Sequence, residues 1–159
     1  RRIDRRHDFV NKLMNIIQPD IAIFGQKDYQ QYILIKDMVQ QLFTSIDIVL
    51  APIIRENDGL AMSSRNSYLN PDQRSKAVYL YESLVRASKK IQENTVGYMS
   101  ILDTEIERLN KDGLNVDYLE LRKTNNLSNI EEYKNISGQH ILLGAIRLGE
   151  TRLIDNIIL

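Results

Sequence analysis

A strand–helix–strand pattern near the start of the chain constrains the fold more than any other feature. Two short apolar runs, residues 21–24 (IAIF) and 46–50 (IDIVL), flank a segment whose apolar residues recur at helical spacing over positions 35–43. Short apolar runs are typical of buried parallel strands, and strand, helix and strand within about thirty residues form a βαβ unit with a right-handed crossover. An earlier helical pattern over residues 9–17 is ended by Pro19. The pattern therefore predicts an α/β fold.

The second half of the chain has a different pattern. Residues 70–73 (NPDQ) predict a helix start, because Asn is a favoured cap, Pro suits the first turn and Gln follows three residues after the cap. This helix is expected to continue to Ile91, and a further one over residues 102–109 is expected to end at Gly113. Three strand-like runs follow, at residues 114–121, 141–148 and 152–157. Gly149-Glu150 predicts a hairpin between the last two.

We predict two domains, residues 1–66 and 67–159, of which the first is incomplete. Residues 1–66 supply two parallel strands, whereas a parallel sheet normally has more strands and is buried on both faces. Either sequence upstream of residue 1 or a second subunit is expected to complete the sheet. In the chain as it stands, the apolar faces of the two strands are expected to be exposed and to favour self-association.

Composition narrows the class of protein. The 159 residues are 43% apolar and 26% charged, with no cysteine and a formal net charge of zero. These values are typical of a soluble globular protein, exclude disulfides and thiolate metal sites, and give no electrostatic reason to expect nucleic acid or an anionic membrane as a partner. No apolar run approaches a membrane span, and no signal peptide is evident, so we expect a cytoplasmic protein. His7 and His140 are far apart, and we assign neither a metal or catalytic role.

Polar residues follow the first predicted strand directly. Gly25 lets the backbone approach a ligand closely, Lys27 offers a compact positive charge for phosphate, and Asp28 can accept hydrogen bonds from sugar hydroxyls. Gln31 can donate and accept hydrogen bonds at once. The alternative interpretation is a solvated turn in which Asp28 caps the next helix.

A second polar loop follows the second predicted strand. Ser63 and Ser64 can donate hydrogen bonds to a polyphosphate, and Arg65 can bind two of its oxygens. The alternative interpretation is a polar linker in which Arg65 makes a surface ion pair. Because both loops follow strands of one βαβ unit, we expect them to lie at the same edge of the sheet, where ligands bind in open α/β folds.

These loops also carry a family resemblance. Residues 24–31 (FGQKDYQQ) resemble the FGxKDYQQ signature of pantothenate synthetases, and residues 58–66 (DGLAMSSRN) resemble their variant of the KMSKS loop of class I aminoacyl-tRNA synthetases. Residues 149–156 (GETRLIDN) resemble the family's C-terminal run, so that the resemblance covers roughly residues 9–159. Two features depart from the family. The HxGH motif that grips the triphosphate has no counterpart here, and residues 1–8 do not match the expected RPGHF-like stretch.

The resemblance implies the C-terminal part of a Rossmann-like nucleotidyltransferase domain followed by a small α/β lid domain. It also implies a reaction in two steps: ATP converts pantoate into pantoyl adenylate and pyrophosphate, and β-alanine then displaces AMP to give pantothenate, a step towards coenzyme A. Because the HxGH half is absent, the chain alone is expected to be inactive. Magnesium is expected to arrive with ATP, with no metal ligand assigned in this chain, and homodimers are usual in the family.

The resemblance assigns a role to each residue of the two loops that matches a family position. The phosphates would be held by Lys27, Ser63, Ser64 and Arg65, the ribose by Gly25 and Asp28, the adenine by backbone groups of Ile54 and Met62, and pantoate by Gln31. Two alternatives stay open: another adenylyltransferase of the same superfamily, and a non-catalytic nucleotide-binding fragment.

Overall fold

A computed structural model describes residues 2–42, 45–93, 97–130, 133 and 137–159, with side chains from residue 8 onward. Contacts divide the chain into two units, Arg1–Pro52 and Ile53–Leu159. The loop over residues 53–66 therefore groups with the second unit, and the domain boundary after residue 66 stays a prediction for the whole protein. Phe43, which was expected on the apolar face of the second helix, lies outside the described residues, as does the side chain of His7.

The first unit is a strand–helix–strand unit preceded by a helix, as predicted. Helix α1 (Arg2–Ile17) leads into strand β1 (Ile21–Gly25), helix α2 (Tyr29–Leu42) and strand β2 (Asp47–Ala51). The two strands pair in parallel, from Ile21 opposite Asp47 to Gly25 opposite Ala51. A single 3-10 turn, Gln26–Asp28, separates β1 from α2. The polar segment after β1 is therefore very short.

One face of this two-stranded sheet is covered and the other is open. Met14 of α1 and Ile35 and Val39 of α2 form a buried cluster with Ile46. Ala22, Phe24 and Ile48 pack against that cluster, whereas Ile21, Ile23 and Val49 are exposed on the alternate positions of the strands. The expected exposure of the strands is therefore confirmed for one face and wrong for the other, because the two helices cover it.

The second unit places three helices beside an antiparallel sheet. The helices are α3 (Pro71–Lys76), α4 (Tyr79–Gln92) and α5 (Tyr98–Lys111), and the strands are β3 (Asn115–Lys123), β4 (His140–Leu148) and β5 (Thr151–Ile158). The sheet order is β3-β4-β5. The predicted hairpin joins Leu148 to Thr151, and Gly149 has a φ of +58°, as a two-residue turn with glycine in first place requires.

The predicted start of α3 is confirmed in atomic detail, but its predicted length is wrong. Asn70 Oδ1 accepts from the Gln73 amide, and the Gln73 side chain accepts from the Asn70 amide, which forms a complete capping box. The expected single helix to Ile91 is instead two helices that meet at Ala77 and Val78. Both residues keep right-handed helical dihedrals, so the interruption is slight and lets Ala77 and Leu80 both enter the core.

The core of the second unit lies between the helices and the sheet. Leu84 and Ile91 of α4 are fully buried with Leu109, Leu142 and Ile146. A Cβ added at Gly144 of β4 would lie 2.7 Å from Leu80 Cδ1, so α4 packs very close to the strand. Among the described residues, no helix combines the length and the apolar character that crossing a membrane requires.

Candidate functional site

The polar residues of the first unit lie at the carboxyl edge of its sheet. Because β1 and β2 are parallel and end in register at Gly25 and Ala51, their carboxyl ends share one edge. Lys27 is half-buried and Asp28 is exposed in the 3-10 turn that follows β1, and Gln31 is half-buried in the first turn of α2. The edge therefore carries a cation, a carboxylate and an amide within five residues of the chain.

Gly25 has no structural reason to be glycine within this unit. Its backbone is extended, with φ −74° and ψ 134°, which any residue adopts, and an added Cβ would meet no atom within 4 Å. The open space above Gly25 fits a position that a ligand approaches closely. Asp28 is the last residue of the 3-10 turn, directly before α2, and its alternative role as a helix cap stays an interpretation.

The second predicted loop is a tight hairpin in the second unit. Arg55 and Ala61 form an antiparallel bridge, and the Glu56 amide donates to the Leu60 carbonyl at 2.8 Å. Asp58 Oδ1 accepts from the Leu60 amide at 3.1 Å, and Gly59 has a φ of +97°, which favours glycine. These bonds define residues 55–61 as a hairpin that ends directly before Met62 and the two serines.

Ion pairs tie the outer side of this hairpin to α3. Arg74 reaches Glu56 at 2.6 Å and Asp58 at 2.7 Å. Asn66 donates to Glu56 Oε1 at 2.8 Å and to the Ala61 carbonyl at 3.2 Å. The hydrogen bond from Asn66 and then that from Arg74 lower the pKa of Glu56, and the hydrogen bond from Arg74 lowers the pKa of Asp58. Both carboxylates are therefore held ionised near neutral pH.

The predicted phosphate-binding residues follow the hairpin. Ser63 is the N-terminal cap of the 3-10 helix Ser64–Tyr68, and its Oγ accepts from the Arg65 amide at 3.2 Å, which leaves its O–H hydrogen able to donate. Arg65 is exposed, and among the described residues no carboxylate pairs with its guanidinium. The alternative interpretation of Arg65 as a surface ion pair is therefore wrong for this structure.

An open groove of about 630 Å³ lies beside Arg65. It is lined by Arg65 together with Tyr68, Gln73, Leu148, Glu150, Thr151 and Arg152. Its second arginine, Arg152, donates to Asp117 Oδ2 at 2.6 Å, and Arg147 donates to Oδ1 of the same carboxylate at 3.1 Å. Arg65 is therefore the arginine of this groove that has no carboxylate partner among the described residues.

Ile54 and Met62, predicted to contact adenine through their backbones, are paired with one another. The Met62 amide donates to the Ile54 carbonyl at 2.9 Å, and both side chains are exposed. This bond brings the two residues side by side at the base of the hairpin. Their contact with adenine stays a prediction.

Three residues near the hairpin, Arg55, Tyr81 and Asp155, were given no role from the sequence. Arg55 donates to both oxygens of Asp155, at 2.6 and 3.0 Å, and to the Gly59 carbonyl at 3.0 Å. Its guanidinium carbon lies 3.8 Å from the centre of the Tyr81 ring. One signal could have indicated this cluster: Asp155 interrupts an apolar strand, and a buried carboxylate requires a partner.

The site residues predicted from the sequence lie in two different units. Lys27, Asp28 and Gln31 belong to the first unit, whereas residues 62–65 belong to the second. Their action in one site stays a prediction. Groups of three or more metal-ligating side chains do not occur among the described residues.

His140, which was assigned no metal or catalytic role from the sequence, is buried. Its ring centre lies 5.1 Å from that of Tyr133. Burial, followed by the charge of Lys123, lowers its pKa. The histidine is therefore neutral near pH 7 and belongs to the core of the second unit.

Fold and loops together define the class of protein. A parallel strand–helix–strand unit with polar residues at its carboxyl edge, followed by a small α/β unit, is the C-terminal part of a Rossmann-like nucleotidyltransferase fold with its lid domain. The family model described as pantoate-beta-alanine ligase matches residues 7–158. The chain belongs to the pantoate–β-alanine ligase family.

Known relatives agree with this family. The chain is 44% identical over 151 residues to the pantothenate synthetase of Desulfitobacterium hafniense, covering 94% of this chain and 52% of that protein. Among solved structures, pantothenate synthetase from Thermus thermophilus superposes with a TM-score of 0.85 at 35% identity, covering 94% of this chain and 53% of that one.

A second solved relative carries ligands. The Francisella tularensis pantoate-beta-alanine ligase, complexed with beta-gamma ATP and beta-alanine, has a TM-score of 0.68 at 29% identity, over 94% of this chain and 47% of that one. The chain spans about half the length of the curated relatives it matches.

Proposed function

We propose that the protein to which this chain belongs condenses pantoate with β-alanine at the expense of ATP, giving pantothenate, AMP and pyrophosphate. The observation that carries the proposal is the family match over residues 7–158, which includes both polar loops in their expected order after β1 and β2. The ligands of the Francisella tularensis relative, ATP and β-alanine, are two of the three proposed substrates.

The proposed chemistry has two steps. A carboxylate is a poor acyl donor because oxide would have to leave. In the first step a pantoate carboxylate oxygen attacks the α-phosphorus of ATP; the new P–O bond forms as the bond to the bridging oxygen of pyrophosphate breaks. In the second step the neutral amine of β-alanine attacks the acyl carbon, AMP leaves with the bonding electrons, and the nitrogen loses a proton. The protein mainly has to position the reactants and stabilise charge on phosphate.

The described residues support specific roles in these steps. Lys27 and Arg65 supply positive charge to the phosphates, and Ser63 and Ser64 supply hydroxyl donors. Arg65 is suited to this role because the structure leaves its fork without an ion-pair partner among the described residues.

Neighbouring residues bind the nucleoside and pantoate in this proposal. The space above Gly25 admits the ribose, whose hydroxyls donate to the Asp28 carboxylate. Gln31 binds pantoate through its amide, and backbone groups of Ile54 and Met62 meet the adenine. All of these assignments rest on the matching positions of the two loops.

Magnesium is proposed to enter with ATP. Mg²⁺ retains several waters and is usually bound by substrate phosphates together with one or two carboxylates, so it does not demand a dedicated cluster of protein ligands. When bound, the ion would neutralise phosphate charge alongside Lys27 and Arg65. A homodimer and a cytoplasmic location are part of the same proposal.

Two assays on the full-length ligase test the proposal. Pantoate-dependent exchange of labelled pyrophosphate into ATP, without β-alanine, is expected if pantoyl adenylate forms. Release of AMP is expected to require both pantoate and β-alanine. Exchange driven by a different carboxylic acid would indicate another adenylyltransferase, and ATP binding without exchange would indicate a non-catalytic nucleotide-binding protein. Either result would overturn the proposal.

A further inference from the structure

We propose that Arg55 and Asp155 are positioning residues that hold the hairpin over residues 55–61 in place, so that Ser63, Ser64 and Arg65 are preorganised for phosphate. The kinetic consequence of this inference rests on the proposed function, whereas the mechanical part concerns the loop alone. Neither residue is expected to touch a substrate.

Asp155 provides a buried anchor for the hairpin. Its side chain is 4% exposed, and both of its oxygens accept from the Arg55 fork at 2.6 and 3.0 Å. The Asn156 amide also donates to Oδ1 at 2.8 Å. If Arg55 moved away, the buried carboxylate would carry an uncompensated charge. Burial therefore strongly favours the arrangement in which Arg55 and Asp155 are paired. Asp155 lies in β5, which pairs with β4 along its length, so the anchor is part of the sheet.

Arg55 connects Asp155 to the hairpin. Its guanidinium also donates to the Gly59 carbonyl at 3.0 Å and packs over the Tyr81 ring of α4 at 3.8 Å. The same residue forms the backbone bridge to Ala61. The side chain of Arg55 therefore joins a strand and a helix of the core to the tip of the hairpin, and its backbone belongs to the base.

The position of the phosphate-binding residues depends on this hairpin. Only Met62 separates Ala61 of the bridge from Ser63, so displacement of the bridge moves Ser63 and the residues that follow it. Groups that stabilise developing charge act only when held close to the productive geometry, and a misplacement of about 1 Å can cost on the order of 10²-fold in rate. The buried pair of Arg55 and Asp155, the inner pair, is therefore expected to affect catalysis by positioning Ser63 and the residues that follow it.

The outer ties provide an internal comparison. The ion pairs of Arg74 with Glu56 and Asp58 hold the same hairpin, but all three side chains are about one-third exposed or more. Breaking an ion pair in contact with water has little effect, whereas removing one partner of a buried pair leaves an uncompensated buried charge. We therefore expect the inner pair, and not the outer one, to determine where the loop lies.

The mechanical test is amide hydrogen exchange on the 159-residue chain, read for residues 58–66 and separately for β3–β5. Asp155→Asn and Arg55→Lys are expected to raise exchange at least about tenfold in the loop, because each breaks the bidentate geometry. Tyr81→Leu supplies a third variant that leaves both charges in place. Glu105→Gln, which alters another buried carboxylate in the same unit, and Arg74→Lys are expected to leave loop exchange near the wild-type rate. Unchanged loop exchange in Arg55→Lys and Tyr81→Leu would overturn the inference.

The kinetic test uses the same variants in the full-length ligase. Arg55→Lys and Asp155→Asn are expected to lower the rate of pantoyl-adenylate formation about 10–100-fold while KM for β-alanine stays within about twofold. Glu105→Gln is expected to keep its rate at temperatures where it is folded. Normal rates with a mobile loop would overturn the positioning role. If loop exchange responds as expected but the wild-type ligase forms no adenylate, the proposed function fails and the mechanical role of the pair stands.

Discussion

Gly59 lies directly against the aromatic ring of Tyr81. A Cβ at position 59 would come within 2.6 Å of Tyr81 Cδ1 and 2.8 Å of Cε1. The φ of +97° at Gly59 independently disfavours any side chain. Two separate physical reasons therefore require glycine at the tip of the hairpin, and they can be measured apart.

Gly59→Ala is expected to destabilise the chain more than Gly113→Ala. Gly113 has a similar φ of +85°, but its added Cβ would meet only the flexible Lys76 Nζ, at 3.9 Å. Gly113→Ala should therefore lose about 1–2 kcal/mol for its backbone conformation alone. Gly59→Ala should lose roughly a further 1–3 kcal/mol from overpacking against Tyr81. Urea denaturation measures both values, and equal losses would mean that the ring moves aside freely.

Lys27→Ala should slow pantoyl-adenylate formation in the full-length ligase by a factor on the order of 10²–10³. The reason is that a preorganised charge stabilises the transition state more than the bound substrates, so substrate binding should suffer less. Single-turnover measurement of the adenylate is the readout. Lys12→Ala, an exposed lysine of α1, serves as the control and should be normal. A near-normal rate for Lys27→Ala would contradict a role of Lys27 in the reaction.

Arg65→Lys should reduce activity clearly, on the order of tenfold or more, even though the charge is retained. A lysine cannot reproduce the two parallel hydrogen bonds of the guanidinium fork to phosphate oxygens. Steady-state rates at low and high salt are the measurement, and salt should not rescue the variant. The matched change Arg122→Lys, at an arginine that pairs with Glu120 on the sheet, should be neutral. Equal activity of Arg65→Lys and wild type would contradict a bidentate role.

Glu105 should make stability depend on pH. Burial acts to raise its pKa, but hydrogen bonds from Ser83 and Arg86 and the charge of Arg86 outweigh it, so the pKa lies below the ordinary value. A depressed carboxylate pKa adds stability that is present above the unfolded-state pKa and is lost as the pH falls through the folded-state pKa.

Urea denaturation of wild type and Glu105→Gln measures this contribution. The difference should be at or below about 3 kcal/mol at neutral pH, the lower end for a buried pair, because Arg86 keeps contact with water. It should shrink below about pH 4. Glu107→Gln, at an exposed position of the same helix, is the control. A difference that did not change with pH would contradict an ionised Glu105 in the folded state.

The open face of the two-stranded sheet should drive self-association of the 159-residue chain. Ile23→Lys should lower the associated fraction measured by light scattering, because a charge at a strand position opposes apolar and edge contacts. Met99→Lys is a matched control in the other unit, since Met99 is 67% exposed and Ile23 is 68% exposed. A monodisperse wild-type monomer would contradict this prediction.

Local features of the fold could be predicted from the sequence because their causes are local. The capping box joins Asn70 and Gln73, three residues apart, and the two-residue hairpin at Gly149 places its partners next to one another. The order of strands and helices followed from the spacing of apolar residues. The length of the helix after Asn70 was predicted wrongly, because hydrophobic periodicity continues across Ala77 and Val78, whereas one α-helix ends before these residues and the next begins after them.

Sequence by itself determined the family, the order of the elements and the two polar loops, since each depends on neighbouring residues whose types can be read directly. Tertiary structure alone decided the support of the second loop. Arg55 and Asp155 are 100 positions apart, and the sequence around either residue does not predict that the two form an ion pair. Their pairing arises because strand β5 carries a carboxylate into the core, where burial without a guanidinium would be costly, and because α4 brings the Tyr81 ring onto the same cation.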